Sequence, residues 1–277
     1  MNPALVTDSN SQLPPELRDR FDVEVVPITV IVDGVEYREG IDLDADGFYG
    51  FFDGGHTPEV STSQPSPGEF AAAYQRCLDR GHTEIVSVHV TEGLSGTLNS
   101  ARVAADLVDA DVHLVDSATA SFGIACCVWQ AGLERAAGGD ASAMVAAAAA
   151  TAEKLHSVTA LGAAKLLDQS GRVDLDFSDE GIHLFTTGPG GAFDSIGTAS
   201  TAEDVCDRLA GAMHLDGAPI RVALGMADAS SLPYYEELET RLKERPDVVE
   251  ILRYRIGPSV GALTGPGTAG GFWYAAD

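Results

Sequence analysis

The sequence predicts an α/β protein of two α/β domains, the first with a mostly parallel sheet flanked by helices. Three observations carry that reading. Short β-branched runs alternate with stretches of helical periodicity over residues 1–155. Three loops of that stretch are rich in hydroxyl and carboxyl side chains: Thr7-Asp8-Ser9, Ser95-Gly96-Thr97 and Asp116-Ser117. In parallel α/β sheets ligands sit beyond the carboxyl ends of the strands, so these loops are expected along one rim. Near residue 155 the texture changes before helix and strand alternate again, which sets the expected domains at 1–155 and 156–277.

In chain order, Ala4-Leu5-Val6 is the first apolar strand, and a turn-rich segment follows to Pro14-Pro15. Val23 to Val32 reads as one long β-rich run, with Asp33-Gly34 as a hairpin turn into Val35-Glu36-Tyr37. Ser66, Pro67 and Glu69 have the spacing of a capping box with proline at the first helical position. Phe70, Tyr74, Cys77 and Leu78 give that helix its apolar stripe. Ile85-Val86-Ser87-Val88-His89-Val90 alternates at period two as a strand does, and Leu98, Val103, Leu107 and Val108 recur at helical spacing. Val112 to Val115 is the next strand and Ala118 to Ala136 the next helix, stopped by Gly138-Gly139. Asp140-Ala141-Ser142 starts an Ala-rich helix to about His156.

Beyond the boundary, Leu161 to Leu167 reads as a short helix, and a Gly-rich, weakly periodic stretch runs to Gly197. Thr201 with Asp204 caps a helix to about His214; Ile220 to Met226 is a strand, Leu232 to Arg245 a helix and Val248 to Ile256 a strand. Gly265, Gly267 and Gly270 match the G-x-G-x-x-G spacing, but the ten residues after Gly267 leave no room for a crossover helix and second strand. A dinucleotide site is therefore rejected. The glycines fit a loop that approaches a ligand or the other domain closely, ahead of a last aromatic strand.

Composition excludes several functions. The net charge is −25 and only three of 17 basic residues are lysines, so a nucleic-acid backbone or an anionic membrane surface would be repelled. Cys77, Cys126, Cys127 and Cys206 show no C-x-x-C spacing and read as buried thiols in a reducing compartment. No apolar run reaches 18 residues, and no basic segment followed by an apolar one opens the chain, so a cytoplasmic protein without a transmembrane segment is expected. The seven histidines show no paired metal-ligand spacing, and neither metal nor cofactor is expected.

The chemistry concentrates in Thr91 to Ala101. Ser95-Gly96-Thr97 falls where a strand ends and a helix starts, and there unpaired backbone N–H groups and the helix dipole favour a carboxylate or phosphate. An ordinary Ser/Thr cap gives the same pattern. Thr62 and Ser63 lie in a polar loop just ahead of the capped helix, where a merely solvated loop would read alike. A rival reading is a serine-dependent hydrolase acting on a small acyl ester. Gly93-Leu94-Ser95-Gly96-Thr97 falls one residue short of the G-x-S-x-G elbow, with His183 or His214 as the base. A scaffold with an empty cleft is the third.

Six short motifs, in order and spanning nearly the whole chain, together resemble the DegV family of two-domain bacterial lipid-binding proteins. They are Thr7-Asp8-Ser9, Thr62-Ser63-Gln64-Pro65-Ser66, Leu94-Ser95-Gly96-Thr97, Asp116-Ser117, Gly171-Arg172, and Gly257-Pro258 with Thr264-Gly265-Pro266-Gly267. The resemblance implies a long-chain fatty acid in a cleft between the domains, its carboxylate on Thr62 and Ser95 and its tail in an apolar tunnel. It also implies that Ser63, Gly96, Thr97, Ser117, Arg172 and Thr264 complete the ligand set. The protein would be non-catalytic, presenting the acid to a separate fatty acid kinase that makes an acyl phosphate. Two departures stand out. Leu263 occupies the position, two residues before Gly-Pro-Gly, where the family commonly carries histidine, and Ser170-Gly171-Arg172 replaces Gly-Gly-Arg.

Overall fold

A computed structural model describes residues 3–171, 181–187 and 193–276. Two units divide the chain: the first takes Met1–Ile31, Glu36–Asp42 and Thr62–Glu153, the second Val32–Val35, Leu43–Ser61 and Lys154–Asp277. The sequence places one boundary near residue 155; two upstream excursions also belong to the second unit.

The elements up to that boundary are β1 (Ala4–Asp8), α1 (Pro15–Arg20), β2 (Val23–Val26), β3 (Thr29–Val32), β4 (Val35–Arg38), α2 (Ala45–Gly50), β5 (Val60–Ser63), α3 (Pro67–Asp79), β6 (Glu84–His89), α4 (Thr97–Ala105), β7 (Asp111–Asp116), α5 (Phe122–Ala136) and α6 (Ala141–Lys154). The sheet of the first unit runs β2-β1-β6-β7 with every neighbouring pair parallel. A parallel sheet is covered on both faces, and its inner strands read as continuous apolar runs. β1 is buried along its whole length and β6 in all but Glu84. Val6, Ile85, Phe70, Tyr74, Ala101 and Ala104 join that sheet to α3 and α4 in one core.

Local chemistry decides where these elements start and stop. Pro27 interrupts the expected run from Val23 to Val32: it cannot donate to a ladder, so β2 ends before it and β3 joins a separate sheet, β4-β3-β5. Asp33 and Gly34, with φ of 49° and 79°, make the tight turn between β3 and β4. Ser66 caps α3 as the spacing predicts: its hydroxyl accepts from the Glu69 N–H (3.3 Å), and the Glu69 carboxylate accepts from the Ser66 N–H (2.7 Å). The helix expected from Ala118 begins only at Phe122, because Ala118 (φ 52°) and Ser121 (φ 57°) are left-handed.

The second unit continues with β8 (His156–Ala160), α7 (Ala164–Gln169), β9 (Ile182–Thr187), β10 (Phe193–Ala199), α8 (Ala202–Ala212), β11 (Ile220–Met226), α9 (Leu232–Lys243), β12 (Val248–Arg255), α10 (Pro258–Thr264) and β13 (Ala269–Ala275). Its sheet runs β10-β9-β8-β13-β11-β12, antiparallel except for β11 with β12. Val158, Leu184, Leu209, Val222, Leu238 and Trp273 are among its core residues. Strands β9 and β10 occupy part of the stretch read as weakly periodic. Their pairing shifts register between Ser195 and Gly197, and such a bulge breaks the period-two signal. Leu263 on α10 packs against Leu161, Leu167 and Phe185.

The C-terminal glycines serve close backbone approach. A Cβ on Gly270 would lie 2.3 Å from the Val158 carbonyl oxygen, and one on Gly271 2.4 Å from that of Ala223. A side chain at either position would push β13 away from the strands on its two sides. Among the described residues no helix is long and apolar enough to cross a membrane. All four cysteines are buried free thiols, and burial pushes Cys77 up to about 11 and Cys127 up to about 12, so both stay protonated and inert at neutral pH. We expect Gly270→Ala to destabilise the protein by about 1–3 kcal/mol through overpacking. A fall in Tm by circular dichroism checks this, and an unchanged Tm would mean that β8 can move aside.

Candidate functional site

Because its strands are parallel, the first unit brings their carboxyl ends to one edge. Thr7 of β1 pairs with Val88, and His89 of β6 pairs with Asp116 of β7. The loops after β1, β6 and β7 therefore share a rim.

A buried carboxylate organises it. Asp8, with no exposed surface, accepts from the Asn10 N–H (3.0 Å), the His89 Nδ1 (2.8 Å) and the Val90 N–H (3.3 Å). The other nitrogen of His89 lies 2.6 Å from the Ser87 hydroxyl, which in turn lies 3.0 Å from the Tyr74 hydroxyl. Donor counting gives an arrangement that satisfies every group. If Asp8 is ionised and the imidazole neutral, Tyr74 donates to Ser87, Ser87 to Nε2, and Nδ1–H to Asp8, so each group is satisfied. An imidazolium would donate at both nitrogens and turn Ser87 toward Tyr74, leaving the phenol proton without an acceptor among the described residues. Burial pushes Tyr74 up to about 12, so the phenol keeps its proton.

Two further carboxylates on the rim fix loops. Asp116 accepts from the Thr91 hydroxyl and the Glu92 N–H (both 3.3 Å) and from the Ala118 N–H (2.8 Å), which binds the loop after β6 to the loop after β7. Glu39 accepts from the Ser9 hydroxyl (2.5 Å) and the Gln12 amide (3.3 Å). Ser121, at φ 57° and ψ −146°, is held by a hydrogen bond from its N–H to the Asn10 side-chain oxygen Oδ1 (2.9 Å). A non-glycine residue in such a conformation costs about 1–3 kcal/mol and persists only where its surroundings impose it.

The sequence-derived site residues fall into distinct settings. α4 starts on Gly96, which has no side chain to cap it. The Ser95 hydroxyl, half-buried, takes over, lying 2.8 Å from the Thr97 hydroxyl and accepting from the Thr97 N–H (3.3 Å). Glycine at 96 leaves room for Gln64: a Cβ there would sit 2.2 Å from the Gln64 side-chain oxygen and turn that side chain aside. Gln64 also donates to the Ser100 hydroxyl (3.2 Å), so the segment that follows Thr62 and Ser63 reaches the first turn of α4. Thr62 is half-buried at the end of β5 and Ser63 is exposed. Ser117 is fully buried, and its hydroxyl is turned onto the Thr119 carbonyl (3.3 Å). Thr264 belongs to the second unit, its hydroxyl on the Val260 carbonyl (3.2 Å). Arg172 lies outside the described residues.

Gln64, Asn10 and Ser121 escaped the sequence reading as site residues. Gln64 had a usable signal, since it follows Thr62-Ser63 directly. Ser121 had none, because a strained serine looks like any other in sequence.

The family model described as that of an uncharacterised protein of the DegV family matches residues 3–175. The chain belongs to the DegV family. A DegV domain-containing protein of Mycobacterium tuberculosis is 33% identical over 174 residues, which cover 62% of this chain and 60% of that relative. One from Staphylococcus aureus is 38% identical over 120 residues, covering 43% and 42%. The chain thus spans less than two thirds of the length of these curated relatives. Among solved structures, a DegV family protein from Thermus thermophilus, described by its fatty acid binding, superposes with a TM-score of 0.85 at 27% identity, covering 100% of both chains. DegV of Bacillus subtilis, described as a fatty acid binding protein, gives a TM-score of 0.83 at 23% identity, again covering 100% of both, and shows the fold alone.

In this DegV-family chain the order Asp8–His89–Ser87 has the hydrogen-bond sequence of a hydrolytic triad, yet all three residues have no exposed surface and Ser87 also bonds Tyr74. No ester can reach that hydroxyl, so the array is a scaffold. Asp8→Ala should destabilise the protein by about 3 kcal/mol or more, since it strands three buried donors worth about 1–3 kcal/mol each. Urea unfolding measures this. A loss below about 1 kcal/mol would mean that water or repacking satisfies them.

Proposed function

We propose that the chain binds a long-chain fatty acid, its carboxylate on the Thr62 and Ser95 hydroxyls and on the N–H groups that open α4, and its tail in an apolar tunnel. The observation that carries this reading is the start of α4, where the N-cap glycine offers no side chain, beside the Ser95–Thr97 hydroxyl pair. One hydroxyl of such a pair donates to the other, and the acceptor keeps its own proton for a third group. Thr97 is fully buried and Ser95 half-buried, which favours Thr97 as donor inside the protein and Ser95 as donor outward. Hydroxyl and amide donors at a helix start suit an anion that must leave water for partly apolar surroundings.

The ligand class rests on relatives: the Thermus thermophilus protein is described by fatty acid binding and is 27% identical over the whole chain. Ser63 and Thr97 flank the proposed head-group contacts, and Gly96 admits Gln64 beside them. Ser117 shapes the neighbouring turn rather than offering its proton.

A carrier role without chemistry belongs to the same proposal, a separate fatty acid kinase acting on the bound acid. Among the described residues the Ser95 hydroxyl bonds a hydroxyl and an amide, while His89, the histidine nearest to it in sequence, is committed to Asp8 and Ser87. A serine becomes a nucleophile when a base takes its proton, so this setting favours holding a carboxylate over attacking an ester.

Binding of a long-chain fatty acid and of its methyl ester, to wild type and Ser95→Ala, tests the reading. The acid should bind more tightly than the ester. Ser95→Ala should weaken acid binding by roughly one to two decades, the equivalent of one charge-assisted hydrogen bond of about 1.5–3 kcal/mol. Equal affinity for acid and ester, or indifference to the substitution, would remove the head group from this rim.

A further inference from the structure

The opposite, amino-terminal edge of the same sheet carries a second cluster. Glu84 opens β6, Asp111 opens β7, and the parallel register pairs Glu84 with Asp111 and Val86 with His113. Residues two apart on a strand share a face, so Asp111 and His113 project from one side of β7, with Glu84 beside them. One ligand atom from each of the three residues lies within 4.8 Å of the others. The His113 Nε2 is 3.8 Å from a Glu84 oxygen and 3.7 Å from an Asp111 oxygen, too far for a hydrogen bond to either.

The separations leave His113 Nε2 unsatisfied: it is shut off from solvent with no hydrogen-bond partner among the described residues, and so is Oε2 of Glu84, the carboxylate oxygen other than the Oε1 that lies 3.8 Å from Nε2. Buried polar atoms without partners are rare in folded proteins and call for an explanation, an ion among them. Asp111 is 72% exposed and leaves a path in from solvent.

We propose that Glu84, Asp111 and His113 bind one divalent transition-metal ion of the Zn2+ class, apart from the fatty acid site. One imidazole nitrogen with two carboxylate oxygens is a donor set for Zn2+ and its first-row neighbours, whereas Ca2+ and Mg2+ take oxygen ligands. Bonds of about 2.0–2.2 Å to a tetrahedral ion hold ligand atoms about 3.4 Å apart. The separations from Nε2, 3.8 and 3.7 Å, therefore need to close by about 0.3–0.4 Å, within reach of small side-chain rotations, and the exposed Asp111 side chain can turn to bring the two carboxylates to the same spacing. Water completes the coordination from the Asp111 side. The ion supplies the missing partner of Nε2 and offsets the repulsion between two neighbouring carboxylates in a chain of net charge −25. Two of the three ligands sit on one strand whose ladder fixes their spacing, which prepares the site before the ion arrives.

Titration of the metal-free full chain with zinc chloride, followed by calorimetry and by thermal shift, tests the assignment. Wild type should take up one Zn2+ per chain and gain Tm, while magnesium chloride at the same concentration gives no signal. His113→Ala should weaken zinc binding at least about tenfold and abolish the gain in Tm. Asp111→Asn, at an exposed position that tolerates change, should weaken zinc binding in the same direction and keeps the test decisive if His113→Ala folds poorly. No zinc uptake by wild type, or undiminished affinity in the variants, overturns the proposal.

Discussion

A single buried carboxylate, that of Asp8, is the constraint on which the rim of the first unit depends. It sits at the carboxyl end of an inner strand, where an ionised group is tolerated only if donors replace water on every side. Three segments supply them: the turn at Asn10, the end of β6 at His89 and the chain leaving it at Val90. The path out of β6 is thereby fixed before Asp116 straps the next residues, Thr91 and Glu92, to the neighbouring loop. Through His89, Ser87 and Tyr74 the same charge reaches the inner face of α3, whose own start is fixed by Ser66 and Glu69. Asn10 extends it to Ser121, so the strained entry to α5 depends on the same anchor. Elements far apart in sequence thus answer to one negative charge.

What could be read from the sequence follows how local the cause is. The capping box at Ser66, the N-cap at Thr201, the strand Ile220–Met226 and the hairpin at Asp33-Gly34 each arise from a few neighbouring residues, and each stands where its spacing predicts. The family resemblance was legible for the same reason, since each of its motifs is a short local pattern. Other features depend on pairing that a single chain does not display. The bulge in β10 erases a periodic signal, and the assignment of Val32–Val35 and Leu43–Ser61 to the second unit reflects contacts far along the chain. Glu84, Asp111 and His113 were invisible to a search for histidine spacings because the cluster uses one histidine and a cross-strand neighbour.

Leu263 shows how one substitution carries two physical meanings. As a departure from the family's histidine, it removes an imidazole donor from the expected set of head-group contacts. As a residue of α10, it completes an apolar cluster with Leu161, Leu167 and Phe185. Putting a ring back would trade apolar packing for a polar group that then needs a partner. The proposed head-group interactions accordingly rest on hydroxyls and backbone N–H groups.

The hydroxyl-rich loops at the ends of β1, β6 and β7 divide by where each proton goes. Thr7 donates to the Val88 carbonyl, Ser9 to Glu39 and Ser117 to the Thr119 carbonyl. Those protons are spent on holding β1, β6 and the turn after β7 together. A hydroxyl already committed to a buried acceptor can turn to a ligand only by stranding that acceptor, which costs about as much as the new bond returns. Ser95 stands differently, since it can accept from Thr97 twice, through hydroxyl and N–H, while its own proton stays uncommitted to either. Sequence composition alone weights all these hydroxyls equally. The direction of donation separates scaffold from candidate ligand contact, and it singles out the residue beside the helix start that Gly96 opens.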